Sequence, residues 1–480
     1  MLQTLKNAWN TPDLRRKILF VLFILLLYRI GTVIPVPFVD ASSFTQNFGD
    51  TIFAYMDVLS GGALSSATLF ALGISPYITA SIIIQLLTVA FPALERKFKG
   101  EGGKELSNKW TRIATVALAI VTGFGYYTLL KNNDMLSDQI TGFGKGMNVL
   151  SGIVIVTCYV AGASIIMWLG EKINENGIGN GISLILFANI VSGSASFAIR
   201  LVRLVIYAID GEATKWSAFW YILLGVVFAL FILFVILAMV YFVVFITGSE
   251  RRVPVQYAKR VVGRKMYGGQ NTHLPIKLNM TGVMPVIFAS SIISLPATAM
   301  TLFGITGTGK GFWDTLARFF APDAWFYPVA LFLLIIGFAY FYTNISFNPI
   351  DVANNLKKNG GMIPGIRQGK PTVEYIQRIL RKITLVGALF LGVIAVLPVI
   401  ASPLLMEPVV TKILANSKDF AFMAGDGSSY YASYFRSVVS QFTGSFAFGG
   451  TSLLIVVGVV QETFRELEAQ LTMRNYKGFL

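Results

Sequence analysis

Ten apolar runs, most of them near the ~20 residues that carry a helix across a hydrocarbon core, recur along this chain. They fall at roughly 18–34, 73–91, 110–130, 149–169, 180–197, 217–246, 280–303, 325–347, 379–400 and 443–461. In lipid every backbone N–H and C=O must be satisfied within the protein, and a helix does so inside one segment. The chain is therefore expected to be an all-α polytopic membrane protein with ten transmembrane helices. Only 13% of its residues are charged, where soluble domains hold about 25%. The sixth run is the longest, which predicts a tilted helix or one that extends into water. A basic segment precedes the first run and no small-residue cleavage site follows it, so it reads as a retained helix.

Lys and Arg total 39 against 24 Asp and Glu. In a soluble chain that excess would suggest nucleic acid; here its placement sets the orientation. The two ends, Lys172 and the connections 92–112, 247–279 and 348–382 hold 28 of the 39, the alternate connections hold 10, and Arg29 lies inside the first run. Cations collect on the cytoplasmic side, which places both termini in the cytoplasm. Helices 1–5 then begin inside and helices 6–10 outside. Residues 1–197 and 217–480 become two inverted five-helix halves, with residues 198–216 as the hinge.

Two basic loops are unusually large: 247–279, and 348–378 with its cations running on to Lys382. Topology and anionic lipid explain part of their charge. Their length points further, to a docking platform for a large partner with acidic surface, nucleic acid included. Residues 253–257 alternate like a strand and predict a small hairpin. Residues 401–442 read as a flexible extracytoplasmic loop, and the tail from Gln461 as an amphipathic continuation of the last helix.

Groups that carry chemistry are sparse. A single cysteine, Cys158, excludes an intrachain disulfide, and the single histidine, His273, reads as a solvated loop residue without a ligand cluster. Residues 304–310 (GITGTGK) match a phosphate-binding loop up to Lys310, but Gly311 stands where the magnesium-binding hydroxyl belongs and no strand precedes them. Residues 177–181 (GIGNG) read as the turn that opens helix 5, not as a dinucleotide loop. The chain is expected to be no enzyme and to hold no cofactor, metal or nucleotide. Inside the helices the polar groups are Gln85, Asn180, Asn279 and hydroxyls, whose plain role is hydrogen bonding between helices. Arg29 is the one charge there. Ion-coupled transporters need buried carboxylates or histidines, which counts against the alternative reading as a small-solute secondary transporter.

One run is broken. Residues 71–87 (ALGISPYITASIIIQLL) are interrupted by Gly73 and Pro76, and paired glycines weaken helix in residues 59–64 just upstream. Freed backbone groups survive in a membrane only when buried in protein or facing a water-filled cavity, so this stretch is a candidate lining for a pathway. A pathway without charges can be closed by a ring of Ile or Leu that holds water out. Periodicity alone does not single out such a ring.

Motifs that run in order from helix 1 to helix 10 resemble the SecY family of protein-translocation channels. They are 61–64 (GGAL), 71–78 (ALGISPYI), 82–88 (IIIQLLT), 177–183 (GIGNGIS), 257–260 (YAKR), 272–275 (THLP), 287–291 (IFASS), 354–358 (NNLKK), 364–367 (PGIR) and 448–455 (FGGTSLLI). The resemblance is to bacterial members, with residues 401–442 longer than in the enterobacterial ones. It implies a central pore through which unfolded secretory preproteins cross the bacterial plasma membrane, and from which membrane-protein helices leave sideways into lipid.

The resemblance also implies roles for residues. The pore constriction maps to Ile74, Ile78, Ile182, Leu186, Ile287 and Ile455. A plug maps to about 55–69, with Ser60, Gly61, Gly62, Ala63 and Leu64 at its centre. A lateral gate between helices 2–3 and 7–8, where signal sequences bind, takes Gln85 and Asn279. Docking of the SecA ATPase and of the ribosome falls to Arg367 first, then to Lys259, Arg260, Arg264, Lys265, Lys357 and Lys358. The resemblance also implies a SecE subunit that clamps the two halves, and often a SecG subunit. The third reading, an insertase or scaffold with no aqueous path, differs in leaving position 287 out of reach of a translocating chain.

Overall fold

Prolines set many of the helix starts, because a proline in the first turn sacrifices a donor that would have been unpaired anyway. In the computed structural model, Pro12, Pro76, Pro92 and Pro349 all stand there. The structure describes residues 2–39, 60–100, 102–132, 136, 144–193, 234–235, 237–257, 260–262, 265–267, 271–302, 312–320, 324–401 and 450–473. Its helices are α1 (Leu2–Asn10), α2 (Pro12–Gly31), α3 (Ser75–Ala90), α4 (Pro92–Lys99), α5 (Gly103–Asn132), α6 (Gly144–Asn176), α7 (Gly181–Gly193), α8 (Leu237–Gly248), α9 (Met284–Leu302), α10 (Phe312–Phe319), α11 (Phe326–Ser346), α12 (Pro349–Lys358), α13 (Lys370–Ala401) and α14 (450–473).

Each of the ten apolar runs overlaps one of these helices, the sixth only through its end in α8. Among the described residues α5, α6, α11 and α13 are each long and apolar enough to cross a membrane. Helix α3 turns by 113° into α4 at Phe91. Phe91 is extended, at φ −116 and ψ 104, because Pro92 pushes the preceding residue out of the helical region. The expected hinge at 198–216, the 402–442 stretch, the 304–310 turn and residues 55–59 lie outside the described residues.

Packing forms two groups with one seam. Helix α6 packs with α2, α3 and α5, and α11 packs with α9 and α13. Helix α9 bridges them, lying against both α3 and α5. The main apolar core runs through both groups, with side chains from α2, α3, α6, α7, α8, α9, α11, α13 and α14.

The two large basic loops form a single body. Strand β1 (Glu250–Tyr257) pairs antiparallel with β4 (Asn271–Lys277), from Glu250 opposite Lys277 to Gln256 opposite Asn271. A smaller ladder joins β2 (Arg260–Val262) to β3 (Lys265–Tyr267). The other edge of β1 takes β5 (Gly361–Met362) from the second loop, with Tyr257 opposite Gly361. The hairpin expected at 253–257 is therefore the middle of a three-stranded sheet. Alternation buries Val253 and Val255 on one face, against Ile276, Leu356, Ile363, Ile376, Ile379, Leu380 and Ile383. His273 is exposed on β4 opposite Pro254, which corrects its expected place in a loop.

At the chain's ends, Ala8, Leu14, Ile178 and Leu467 form a small apolar cluster. The Gly179 N–H donates to Glu466 Oε2 at 2.7 Å, and Lys17 Nζ to Gln470 Oε1 at 3.2 Å. The tail thus binds the turn that opens α7. It also reaches the end of α8, just before the sheet: Arg465 donates to the Thr247 carbonyl at 2.7 Å. Partial burial, with Arg465 nearby, holds the Lys277 ammonium below the usual lysine pKa.

Candidate functional site

The broken run is the natural place to build from. Helix α3 begins at Ser75, with Ile74 as its cap and no side chain satisfying the free N–H groups. Residues 61–74 run through successive turns in place of helix. Their backbone groups find partners nearby. The Leu64 N–H donates to Ser60 Oγ at 3.1 Å, the Thr68 hydroxyl to the Ala63 carbonyl at 3.1 Å, and the Tyr126 hydroxyl of α5 to the Leu64 carbonyl at 2.6 Å. A short bridge to Pro35 and the Leu69 N–H on the Ile34 carbonyl, at 2.9 Å, tie the segment to the end of α2. Ala63, Leu64, Ala67 and Phe70 are buried. Under the segment, α6 carries Gly162, where any Cβ would stand 2.0 Å from the Leu69 carbonyl oxygen. Only glycine lets the segment come down onto α6.

Beyond this segment, the six aliphatic residues expected at a constriction lie on four helices. Ile74 and Ile78 lie at the start of α3, Ile182 and Leu186 on α7, Ile287 on α9 and Ile455 on α14. Five of them are between 1 and 4% exposed, and Ile182 is partly buried. All six belong to the one apolar core described above. The Ser290 and Ser291 hydroxyls beside Ile287 both donate to its carbonyl, at 2.9 and 2.8 Å, so their donors are satisfied within α9. Among the described residues no group of His, Cys, Asp and Glu could hold a metal ion. Such an arrangement performs no bond chemistry. It excludes water and yields only to something that pushes the aliphatic side chains apart.

A polar contact crosses the seam between the helix groups. The Tyr342 hydroxyl of α11 donates to Gln85 Oε1 of α3 at 2.5 Å, and Gln85 Nε2 donates to Ser81 Oγ at 3.0 Å. Phe288 of α9 packs against the Tyr342 ring, with centroids 5.0 Å apart. Sequence reading passed over Tyr342 as one more aromatic in a membrane helix. The usable signal was its hydroxyl, which needs a partner when the ring is buried. Asn279 lies in the turn before α9, where its Oδ1 accepts from the Thr281 hydroxyl at 3.4 Å and its buried amide nitrogen has no acceptor. Gln85 and Asn279 therefore have separate partners. Asn180 caps α7 by accepting from the N–H groups of Ile182 and Ser183, which corrects its expected role between helices.

The basic body carries its cations on the outside. Arg367 is exposed on the tight loop between β5 and α13. Its position is set by backbone, since Gln368 donates to the Gly361 carbonyl at 3.0 Å and Thr372 to the Arg367 carbonyl at 2.8 Å. Lys357 and Lys358 are exposed in the last turn of α12. Arg260 and Lys265 stand on β2 and β3, while Lys259 and Arg264 lie outside the described residues.

Comparison with known proteins agrees on one family. The SecY family model matches residues 68–416. Protein translocase subunit SecY of Streptomyces galbus is 41% identical over 493 residues, covering 100% of both chains. Its counterpart in Corynebacterium glutamicum is 38% identical over 485 residues, covering 99% of both. Among solved structures, one described as a protein conducting channel superposes with a TM-score of 0.57 at 17% identity, over 94% of this chain and 91% of the other. Sec61 from a canine ribosome–channel complex gives a TM-score of 0.53 at the same identity and coverage. These two show a shared fold.

Proposed function

The chain belongs to the SecY family, and on that premise we propose how its parts divide the work of a protein-conducting channel. It is a multi-pass membrane subunit of such a channel and no enzyme; the small-solute transporter reading is set aside, because its relatives are translocase subunits. Ile74, Ile78, Ile182, Leu186, Ile287 and Ile455 form the constriction. Residues 55–69, with Ser60, Gly61, Gly62, Ala63 and Leu64, form a plug seated on it from the outer side. Helices α3 and α5 face α9 and α11 across a lateral gate lined by Gln85 and Asn279, and Tyr342 belongs to it. The body built from β1, β4, β5 and α12 is the cytoplasmic docking site for the SecA ATPase and the ribosome. SecE and SecG complete the channel in the bacterial plasma membrane, with both termini in the cytoplasm.

The observation that supports this reading is one apolar core that takes in aliphatic side chains of α3, α7, α9 and α14, next in sequence to a buried, non-helical segment at 61–74. A pore of that kind must pass its substrate over Ile287. With Ile287→Cys and Cys158→Ser, a preprotein stalled in transit and carrying a thiol-reactive crosslinker is expected to attach at position 287. An insertase or scaffold without an aqueous path leaves that cysteine unreacted, and that result removes the pore assignment.

The gate bond gives a second expected outcome. One neutral hydrogen bond contributes roughly 0.5–1.5 kcal/mol, a factor of about 2–10 in an opening equilibrium. Tyr342→Phe is therefore expected to speed export of a preprotein with a shortened apolar signal by about that factor. Strong signals should be handled at the wild-type rate. Equal rates for the weak signal would leave the Tyr342–Gln85 bond no part in gating.

A further inference from the structure

Arg29 is the one charge within the first apolar run, and the division of labour above gives it no task. One guanidinium nitrogen, Nη2, donates to Ser192 Oγ of α7. The other, Nη1, faces the start of the seated segment, since a Cβ built on Gly61 would stand 3.0 Å from it. The same Cβ would stand 2.9 Å from Asn189 Oδ1, so the backbone comes this close only because Gly61 has no side chain. Gly61 also holds φ +71, which favours glycine. One turn of α2 grips the far end of the segment as well: Tyr28 stacks on Phe70 at 5.5 Å, and Phe70 fills the notch left by Gly31.

Nη1 is buried beside this segment and has no hydrogen-bond acceptor among the described residues. A guanidinium carries donors only, and a buried donor left unmade costs the closed state the full desolvation of that group. Among the described residues no carboxylate pairs with Arg29 to offset it. When the segment lifts and the pathway wets, water supplies the missing acceptor. Closure therefore covers a charge that opening hydrates.

We propose that Arg29 primes the 60–70 segment for release, acting as a positioning residue that raises the free energy of the seated state. The inference rests on reading that segment as a movable plug. Ala63 reports the movement, because it is fully buried when the segment is seated. The protein carries Ala63→Cys and Cys158→Ser, and labelling by a membrane-impermeant maleimide is followed from the extracytoplasmic side. Arg29→Met keeps the length of the side chain and removes the charge and the unpaired donor. It is expected to slow labelling of the resting channel about tenfold. Arg29→Lys restores a buried charge and should restore the rate, which a loss of packing alone would not do.

Labelling of the Met variant at or above the wild-type rate overturns the proposal. Should Arg29→Met fail to accumulate, Arg29→Gln drops the charge, keeps a donor for Ser192 and carries the same expectation. A stalled preprotein in the Arg29 protein tests the underlying reading separately. If it does not raise labelling at position 63, the segment does not move and the plug assignment fails, whatever Arg29 does.

Discussion

With Ile78, Ile182 and Ile287 all changed to serine, membranes holding the resting channel are expected to conduct ions where the unchanged protein keeps a seal. The three residues come from α3, α7 and α9, so the substitution opens the proposed ring from three sides at once. Burial of an aliphatic side chain of this size contributes roughly 1.5–3 kcal/mol to keeping water out. Serine removes that term and adds a hydroxyl that holds water, at positions that now belong to or pack against the apolar core. Even part of the combined loss should raise resting conductance tenfold or more, at about 1.4 kcal/mol per decade. The matching valine triple keeps the ring aliphatic, costs about 0.5–1.5 kcal/mol per site, and should stay tight. Conductance in planar bilayers, read beside the amount of protein in the membrane, decides the matter. A sealed serine variant would place the constriction elsewhere.

How much of this was legible in the sequence depends on the range of the interaction. Helices announced themselves because a membrane span is local: its apolar length and its flanking prolines and glycines are both on view. The break before Ser75 was legible for the same reason. The union of the two basic loops was not. Strand β5 has two residues, Gly361 and Met362, and its partners Tyr257 and Gln256 lie in the other loop, so no local period marks the pairing. The extension of α13 to Lys370 did leave a trace. Ile376 stands at helical spacing before Ile379, Leu380 and Ile383 of the ninth run, but the polar residues of 370–378 kept that stretch out of the span. Arg29 stood out as a lone charge, while its neighbours Gly61 and Ser192 come from distant parts of the chain and were beyond a sequence reading. The six constriction positions came from resemblance, since any isoleucine in a membrane helix looks like any other.

That extended helix also gives the docking surface a mechanical meaning. At 32 residues, α13 is about 48 Å long. Its first part supplies Ile376, Ile379, Leu380 and Ile383 to the core of the basic body. Its later part supplies Leu391, Ile394, Ala395, Val396 and Val399 to the core that holds the constriction residues. On the proposed assignments, a load applied at the body would reach the core of the constriction through one continuous helix. The tail of α14, whose Arg465 reaches the Thr247 carbonyl next to the body, also binds the turn before α7, the helix that carries Ile182 and Leu186. The second route ends on the helix that carries two residues of the proposed ring, and the first ends in the apolar core that the ring shares.

Arg367→Glu is expected to abolish export driven by the ATPase while leaving the channel itself in the membrane at normal amount. The guanidinium is exposed and takes no part in the hydrogen bonds that shape its loop, which use the Arg367 carbonyl and Gln368. The fold should therefore tolerate the change. A docked partner should not, because arginines at the centre of an interface commonly contribute 2 kcal/mol or more. Reversal adds repulsion from an acidic surface to the loss of attraction. Affinity is then expected to fall by about 30-fold or more. Lys357→Glu, on the neighbouring last turn of α12, should weaken docking less, because a flexible ammonium at the rim is worth about 1 kcal/mol or less. The measurement is ATPase-dependent import of a preprotein into inverted vesicles, with partner binding titrated on the same vesicles. Loss of both with unchanged channel content supports the docking site. Normal export by the Arg367→Glu protein removes the assignment, and with it the role given to α13 as the element that carries a partner's push into the pore.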